Sequence, residues 1–512
     1  MSPIAEQHAQ ADRDRLAGGQ AVIAWSVEPA DLITPVAAFL KLRRHLPDAE
    51  ANSFLLESIE GGVARGRFSV IGLLPDLVWR CRDGEVSGVD DVGEHPIDSL
   101  RRQIAASRIE LPPGLPPMIG GLFGYLGYDM VRQMERLPDP PVDDLGLPEG
   151  MLLRPSLFAV FDNVRDELTL AVPLRPAPGQ DSQALWEHGQ ALLQQARDAL
   201  SLALPPNAPG TDAGTPLVQP AEPRSNFTRE GFLDVVRRIQ DYIAAGDAFQ
   251  VVPSQRFSTP FGLEPFALYR ALRRVNPAPF LFFLDLEDEP RGPRFQLVGS
   301  SPEVLVRLRQ GTVTIRPLAG TRPRGADRAE DERLEADLLA DPKERAEHLM
   351  LVDLGRNDVG RVSELGSVKV VESFVIERFS HVMHISSTVE GKLRPELDAV
   401  DALVAGFPAG TLTGAPKIRA MQIIDEMEPT RRGTYAGCIG YFGADGTMDT
   451  CIGLRMALLR DGTMHVQAGC GVVADSVPES EYEETRQKAR ALFRAAEAAL
   501  NQASGRATGS GA

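Results

Sequence analysis

The chain has 512 residues, 43% of them hydrophobic and 24% charged, with a formal net charge of −17. That length exceeds what one hydrophobic core usually serves, so two domains, or one large domain with an elaborated N-terminal part, are expected. The acidic balance argues against nucleic acid, whose phosphates need basic patches, and no apolar run reaches the ~18–20 residues that cross a bilayer.

Residues 1–20 carry Asp12, Arg13, Asp14 and Arg15 and no apolar run, so no secretory signal is expected. Cys81, Cys438, Cys451 and Cys470 are too few and too scattered for a disulfide framework or a zinc site, which fits a reducing cytoplasm. An N-terminal region over 25–202 is followed by a Pro- and Gly-dense stretch, 203–224, that reads as a linker or surface loop. The C-terminal region, 225–500, opens with a helix. Thr228 is its N-cap, Phe232, Val235, Val236, Ile239 and Ile243 recur at helical spacing, and Gly246 ends it. FQVVPSQRFS and FLFFLDL read as strands, and 333–361 reads as helix. Farther on, Asp445-Gly446 and Asp461-Gly462 separate β-rich runs, the signal of hairpins in an antiparallel meander. Residues 501–512 are small and polar, a frayed tail. Strands in meanders beside segregated helices indicate α+β, not a doubly wound parallel sheet.

Chemistry first shows as paired carboxylates. Glu344 and Glu347 stand three apart on one helix, and Glu481, Glu484 and Lys488 share a face of another. Two such faces from distant segments suit magnesium, which takes a few hard oxygen ligands and leaves positions for substrate. Taken alone, the same spacing also describes solvated helix faces with ion pairs. Glycines are the second signal. AGTRPRG, FPAGTLTGAP and AGCGVV allow close backbone approach and leave N–H groups free to grip carboxylates. No GxxxxGK[ST] loop and no GxGxxG opening a βαβ unit is present, which argues against nucleotide use. His381 and His384 lie in FSHVMHISSTV on opposite faces of a strand, so at most one faces a given cleft.

The series PLAGTRPRG, DPKERAEHLMLVDLGRNDVGRV, FSHVMHISSTVEGKL, FPAGTLTGAPKIRAM, RRGTYAGCIGYF, DTCIGLRMALL and QAGCGVVADSVPESEYEETRQKA resembles the chorismate-utilising enzymes, and most of all anthranilate synthase component I. SFLLESIEGGVARGRFSVIG extends that resemblance into the N-terminal region. The resemblance implies antiparallel sheets in a sandwich-like arrangement with outer helices, a chorismate-binding region and an N-terminal regulatory region. It implies synthesis of anthranilate from chorismate and ammonia, with Mg2+ as cofactor, held by Glu347 and Glu484 with Glu344 and Glu481 nearby. Gly320, Thr321, Tyr435, Arg455, Gly469, Cys470, Gly471 and Lys488 resemble the substrate-binding positions. Glu303 resembles the acid that helps the C4 hydroxyl leave, and His384 and Thr411 the positions serving the later elimination. Cys470 departs from the small residue usual between those glycines, which puts the room in the pocket in question.

Two positions bear on the branch. Relatives that add water carry a lysine base where Gln250 stands here, and para-aminating relatives carry a lysine nucleophile where Ala319 stands. Both substitutions point to ortho-amination, with another chorismate aminator (aminodeoxychorismate or 2-amino-2-deoxyisochorismate synthase) as the alternative. No G-x-C-x-G-x-Q context is present, so the resemblance implies a separate glutamine amidotransferase subunit, in a heterotetramer of two of each. LLES (Leu55 to Ser58) resembles the inhibitor motif for tryptophan, with Ser58 facing a segment containing Pro279, Phe280 and Leu281. The family more often has Tyr-Met where Phe280-Leu281 stands.

Overall fold

The computed structural model describes residues 3–60, 64–90, 93–204, 222–379 and 382–504. Most of the expected linker 203–224, residues 505–512 of the tail 501–512, and His381 lie outside the described residues.

The sheets are organised around one long, largely buried strand, Gly150–Asp162. Ala64–Arg82 runs antiparallel along it, from Phe68↔Asp162 to Cys81↔Gly150. On the other side, its last residues pair with Glu167–Leu174 and its first with Leu122–Leu126. The sheet forks there into two layers. One passes from Ala64–Arg82 through Ser53–Glu60, Phe280–Glu287, Arg294–Ser301, Met456–Arg460 and Thr463–Gly469 to Ser254–Pro260. The other passes from Leu122–Leu126 through Cys438–Phe442, Met448–Ile452, Val304–Arg309, Thr312–Ile315 and Val382–Lys392 to the edge strand Lys369–Arg378. Every one of these ladders is antiparallel, so strands from the two halves of the sequence share both layers.

Between the layers, Phe54, Phe123, Phe158, Phe282, Leu297, Ile439 and Met456 form one buried cluster. Each such side chain contributes about 1.5–3 kcal/mol by leaving water. The helices Pro35–His45, Ser182–Ser201, Pro265–Val275 and Pro478–Ala503 cover the first layer through Phe39, Leu193, Phe266 and Leu492. Pro96–Ala106, Pro342–Gly360 and Ala399–Gly406 cover the second through Leu100, Val352 and Leu403. The expected α+β sandwich with outer helices is what forms. Among the described residues, no helix is long and apolar enough to cross a membrane.

Local signals hold where they were strong. Thr228 caps Arg229–Ala244 by accepting from the Gly231 N–H, and Gly246 follows with φ 86°. Asp461 (φ 49°) and Gly462 (φ 70°) make the two-residue turn between Met456–Arg460 and Thr463–Gly469. Two expectations are corrected. The span 333–361 is two helices, Arg328–Ala340 and Pro342–Gly360, because Asp341 leaves the helical region and accepts from the N–H groups of Lys343 and Glu344. Pro342 then begins the second helix, where a missing N–H costs nothing. The two C-terminal hairpins also do not continue one meander. Met448–Ile452 pairs with Val304–Arg309, while Met456–Arg460 pairs with Arg294–Ser301. The three residues 453–455 therefore cross from one layer to the other.

Candidate active site

That crossing places Arg455. Its φ is 51°, a strained backbone for a side chain with a Cβ, of the kind that persists where the surroundings over-determine it. Among the described residues its guanidinium makes no salt bridge, and burial pulls its pKa down against the opposing charges of Tyr435 and Glu484. A half-buried arginine without a salt bridge is ready for a carboxylate, to which its fork can make two charge-assisted hydrogen bonds.

Lys488 stands among the other expected residues. Its Nζ donates to the Gly469 carbonyl at 3.0 Å and pairs with Glu484 at 2.7 Å. Its charge is also felt by Glu303, Glu347 and His384. Gly469 ends its strand beside the Tyr435 hydroxyl, which lies 3.1 Å from where a Cβ at Gly469 would stand. Cys470 is fully buried and packs with Val251, Ala420 and Val472, so its side chain sits in the core and not in the cleft. Its thiol also lies against Glu481, whose Oε2 otherwise has no partner.

The carboxylates divide by partner. Glu347 is half-buried, and that desolvation raises its pKa; it accepts from the Gln250 amide at 3.2 Å. Both Glu344 and Glu484 push its pKa up further, so the three lie within electrostatic reach of one another. Glu344 is tied to Arg322 at 3.1 Å, and Arg322 is held by Asp337 at 2.7 Å and Asp341 at 2.9 Å. Gly320 (φ 65°) must be glycine here, since a Cβ would lie 2.9 Å from Leu338 and 3.0 Å from Glu344 Oε2. Among the described residues no group of three His, Cys, Asp or Glu converges to hold a metal. The donor chemistry nevertheless fits magnesium, because Glu347 and Glu484 supply hard anionic oxygens from two helices. Magnesium commonly takes only one or two protein carboxylates and leaves the rest to water and substrate.

Glu303 and His384 carry the clearest electrostatic signature. Glu303 is 7% exposed, and burial pushes its carboxyl up to about 8. The Leu318 N–H and the Thr411 hydroxyl donate to its Oε1 at 3.4 Å and 3.3 Å, which offsets only part of that desolvation. With Thr411, Ile315, Pro317, Leu351 and Leu354 it lines a void of about 340 Å³ including its open side. His384 is pulled down to about 4 by burial, with Arg455 and Lys488 adding to the effect. Its Nδ1 lies 2.7 Å from the Gly320 carbonyl and 3.2 Å from Thr321 Oγ1. A carbonyl only accepts, so Nδ1 carries the proton and Nε2 keeps its lone pair.

Behind these groups lies a buried ion pair that sequence reading missed. Arg432 pairs with Glu428 at 2.6 Å and donates to the carbonyls of Leu412 and Val252 at 2.7 Å and 2.6 Å. Glu428 also accepts from the Ser254 N–H at 2.7 Å. Removing one partner of such a pair typically costs 3–5 kcal/mol, so it fixes the Thr411 and Tyr435 segments together. Its only sequence signal was the i,i+4 spacing, which is indistinguishable from a surface pair. Arg322 was missed because its partners Asp337, Asp341 and Glu344 lie 15, 19 and 22 residues away, although it stands inside the quoted PLAGTRPRG.

At the other end of the first layer, the ladder pairs Leu281 with Glu57 and Phe280 with Ser301. That register brings Ser58 and the segment from Pro279 to Leu281 to one place. Ser58 donates to the Phe68 carbonyl at 3.2 Å. Glu57 beside it is buried against Tyr269 at 2.5 Å and Arg273 at 2.7 Å.

Residues 52–494 match the family described as chorismate binding enzyme. The anthranilate synthase component 1 of Cereibacter sphaeroides is 52% identical over 489 residues, covering 94% of this chain and 95% of that protein. The anthranilate synthase component 1 of Pseudomonas aeruginosa is 49% identical over 479 residues, covering 91% and 93%. The crystal structure of anthranilate synthase component I from Streptococcus pneumoniae superposes with a TM-score of 0.73 at 35% identity, covering 91% of this chain and 98% of that one. The menaquinone-specific isochorismate synthase of Escherichia coli shares the fold with a TM-score of 0.70 at 19% identity, covering 96% and 99%. This chain belongs to the chorismate-binding enzymes and, within them, to the anthranilate synthase component 1 family.

Proposed function

We propose that the chain converts chorismate and ammonia into anthranilate, pyruvate and water. The observation that carries this reading is Glu303, a carboxyl kept protonated near neutral pH by burial, with Lys488 in electrostatic reach of both it and a neutral His384, which also feels Arg455. Arg455 and the Gly469–Gly471 backbone hold substrate carboxylate, and Tyr435, Gly320 and Thr321 line the ring. Glu303 gives its proton to the C4 hydroxyl, which leaves as water while ammonia attacks C2. Gln250 is buried and its Oε1 has no partner, which suits acceptance of a hydrogen bond from the incoming ammonia. His384 Nε2 then takes the ring proton as pyruvate departs and the ring becomes aromatic. Glu347 and Glu484 would hold magnesium, which supplies Lewis-acid polarisation of the ring carboxylate when bound.

Ammonia comes from a glutamine amidotransferase subunit in this reading, since all four cysteines are buried and none is placed as a nucleophile. Tryptophan binds between Ser58 and the segment from Pro279 to Leu281. Support comes from the register that joins Phe280 to Ser301, whose Oγ accepts from the Glu303 N–H at 3.5 Å. An inhibitor seated there acts two residues from the catalytic acid. The test is direct: purified chain, chorismate, magnesium and an ammonium salt, with anthranilate followed by fluorescence and products by mass. Release of an aminated, still pyruvylated product would assign the other aminating branch, and glutamine-dependent turnover by the chain alone would remove the partner.

A further inference from the structure

A second polar pocket lies outside the catalytic set. Its void is about 310 Å³ including its open side, and its enclosed part has room for only about one or two water-sized molecules. Asp129, Asp143, Glu149, Arg431 and Gly433 line it, with Leu147 on an apolar wall. Asp129 is 3% exposed. Its Oδ1 accepts from Arg132 at 3.1 Å, while its Oδ2 has no partner. Glu149 is 7% exposed, its Oε1 reaches Arg431 only at 3.5 Å, and its Oε2 accepts from the Gly84 N–H at 3.4 Å.

The charge around this pocket does not balance. Arg431 Nη1 is shared among Asp83 at 3.3 Å, Glu149 at 3.5 Å and Asp143 at 3.9 Å, all long contacts. Arg132 is shared between Asp129 and Asp425, the latter at 2.9 Å. Five carboxylates thus surround these two guanidinium groups, with Asp83 mostly exposed and Arg432 in electrostatic reach of Asp425. A buried carboxylate oxygen with no hydrogen-bond donor is costly, so a filled pocket is the lower-energy state. Neutral water would satisfy the oxygen, whereas a cation would also offset the burial that raises the pKa of Asp129 and of Glu149.

We propose that this pocket binds a desolvated monovalent cation of ammonium or potassium size, with Asp129 Oδ2 and Glu149 as its acceptors. A divalent ion is disfavoured because Arg132 and Arg431 already compensate part of the lining charge. An amino acid is disfavoured by the room available. The site stands independently of the reaction assigned above.

The test is thermal unfolding of the full chain, without chorismate, in ammonium, potassium and tetramethylammonium chloride at matched ionic strength. Ammonium should raise the melting temperature saturably, by about 2 °C, while tetramethylammonium, too large and without N–H donors, should not. A rise with ammonium alone assigns recognition to N–H donation, and an equal rise with potassium assigns it to charge and size. Asp129→Asn, which keeps an acceptor for Arg132, should abolish the rise, and Glu149→Gln should reduce it. If Asp129→Asn does not fold, Glu149→Gln decides the matter. An identical rise in all three salts, or one that persists in the folded variants, would overturn the proposal in favour of a water-filled pocket.

Discussion

Replacing Glu303 by Gln removes the carboxyl proton assigned to the departing hydroxyl, at almost constant shape. At about 8, the Glu303 carboxyl is about 90% protonated at pH 7, whereas an ordinary glutamate would be ~0.3% protonated. Burial therefore supplies about 300-fold more of the acid form. Loss of general-acid catalysis should lower kcat by roughly 10²–10⁴-fold. The sign of the pH dependence follows from the raised pKa: activity holds below about 8 and falls as pH rises through it. Stability shifts in the same window. Above ~4.5 the unfolded chain ionises this group while the folded protein does not until about 8, so native stability declines across that range, by up to ~5 kcal/mol, and Gln removes the slope. Thr411→Val sharpens the test, because the Thr411 hydroxyl favours the charged form and its loss should move the alkaline limb upward. The assay is anthranilate fluorescence at saturating chorismate and free ammonia, from pH 6 to 10. Activity of Glu303→Gln within threefold of the native chain, or an alkaline limb that Thr411→Val leaves in place, would refute the assignment.

Glu347→Gln or Glu484→Gln should abolish magnesium dependence together with activity, and EDTA should silence the native chain until magnesium is restored; full activity after exhaustive chelation would remove the metal from the reading. His384→Ala should slow turnover by about 10²–10⁴-fold and let an aminated, still pyruvylated intermediate accumulate, visible by mass spectrometry. Kinetics that do not change would leave His384 a structural partner of the Gly320 carbonyl. Tryptophan should weaken chorismate affinity by about 5–150-fold in the native chain, and Ser58→Phe, measured against its own uninhibited rate, should escape that effect. Equal inhibition of both proteins would end the regulatory reading of LLES.

Local chemistry by itself determined much of this molecule. Thr228, Gly246 and the Asp461-Gly462 turn are short-range devices, so their positions were legible without the fold. The antiparallel class followed from strand length and turn spacing, and the motifs carrying Glu303, Glu347, His384, Arg455 and Glu484 were legible through their family resemblance. What the sequence could not determine depends on partners far along the chain. Whether the two C-terminal hairpins continue one sheet or diverge is decided by which strands flank them, and that divergence is what puts Arg455 on the crossing between layers. Burial is equally non-local. Glu303 and His384 acquire opposite protonation tendencies only because segments from the 300s, 410s, 450s and 480s exclude water around them. The Arg432–Glu428 pair reads as an ordinary surface spacing until the Leu412 and Val252 carbonyls close over it. A desolvated charge gains its energetic weight from everything packed against it, and no window of sequence contains that.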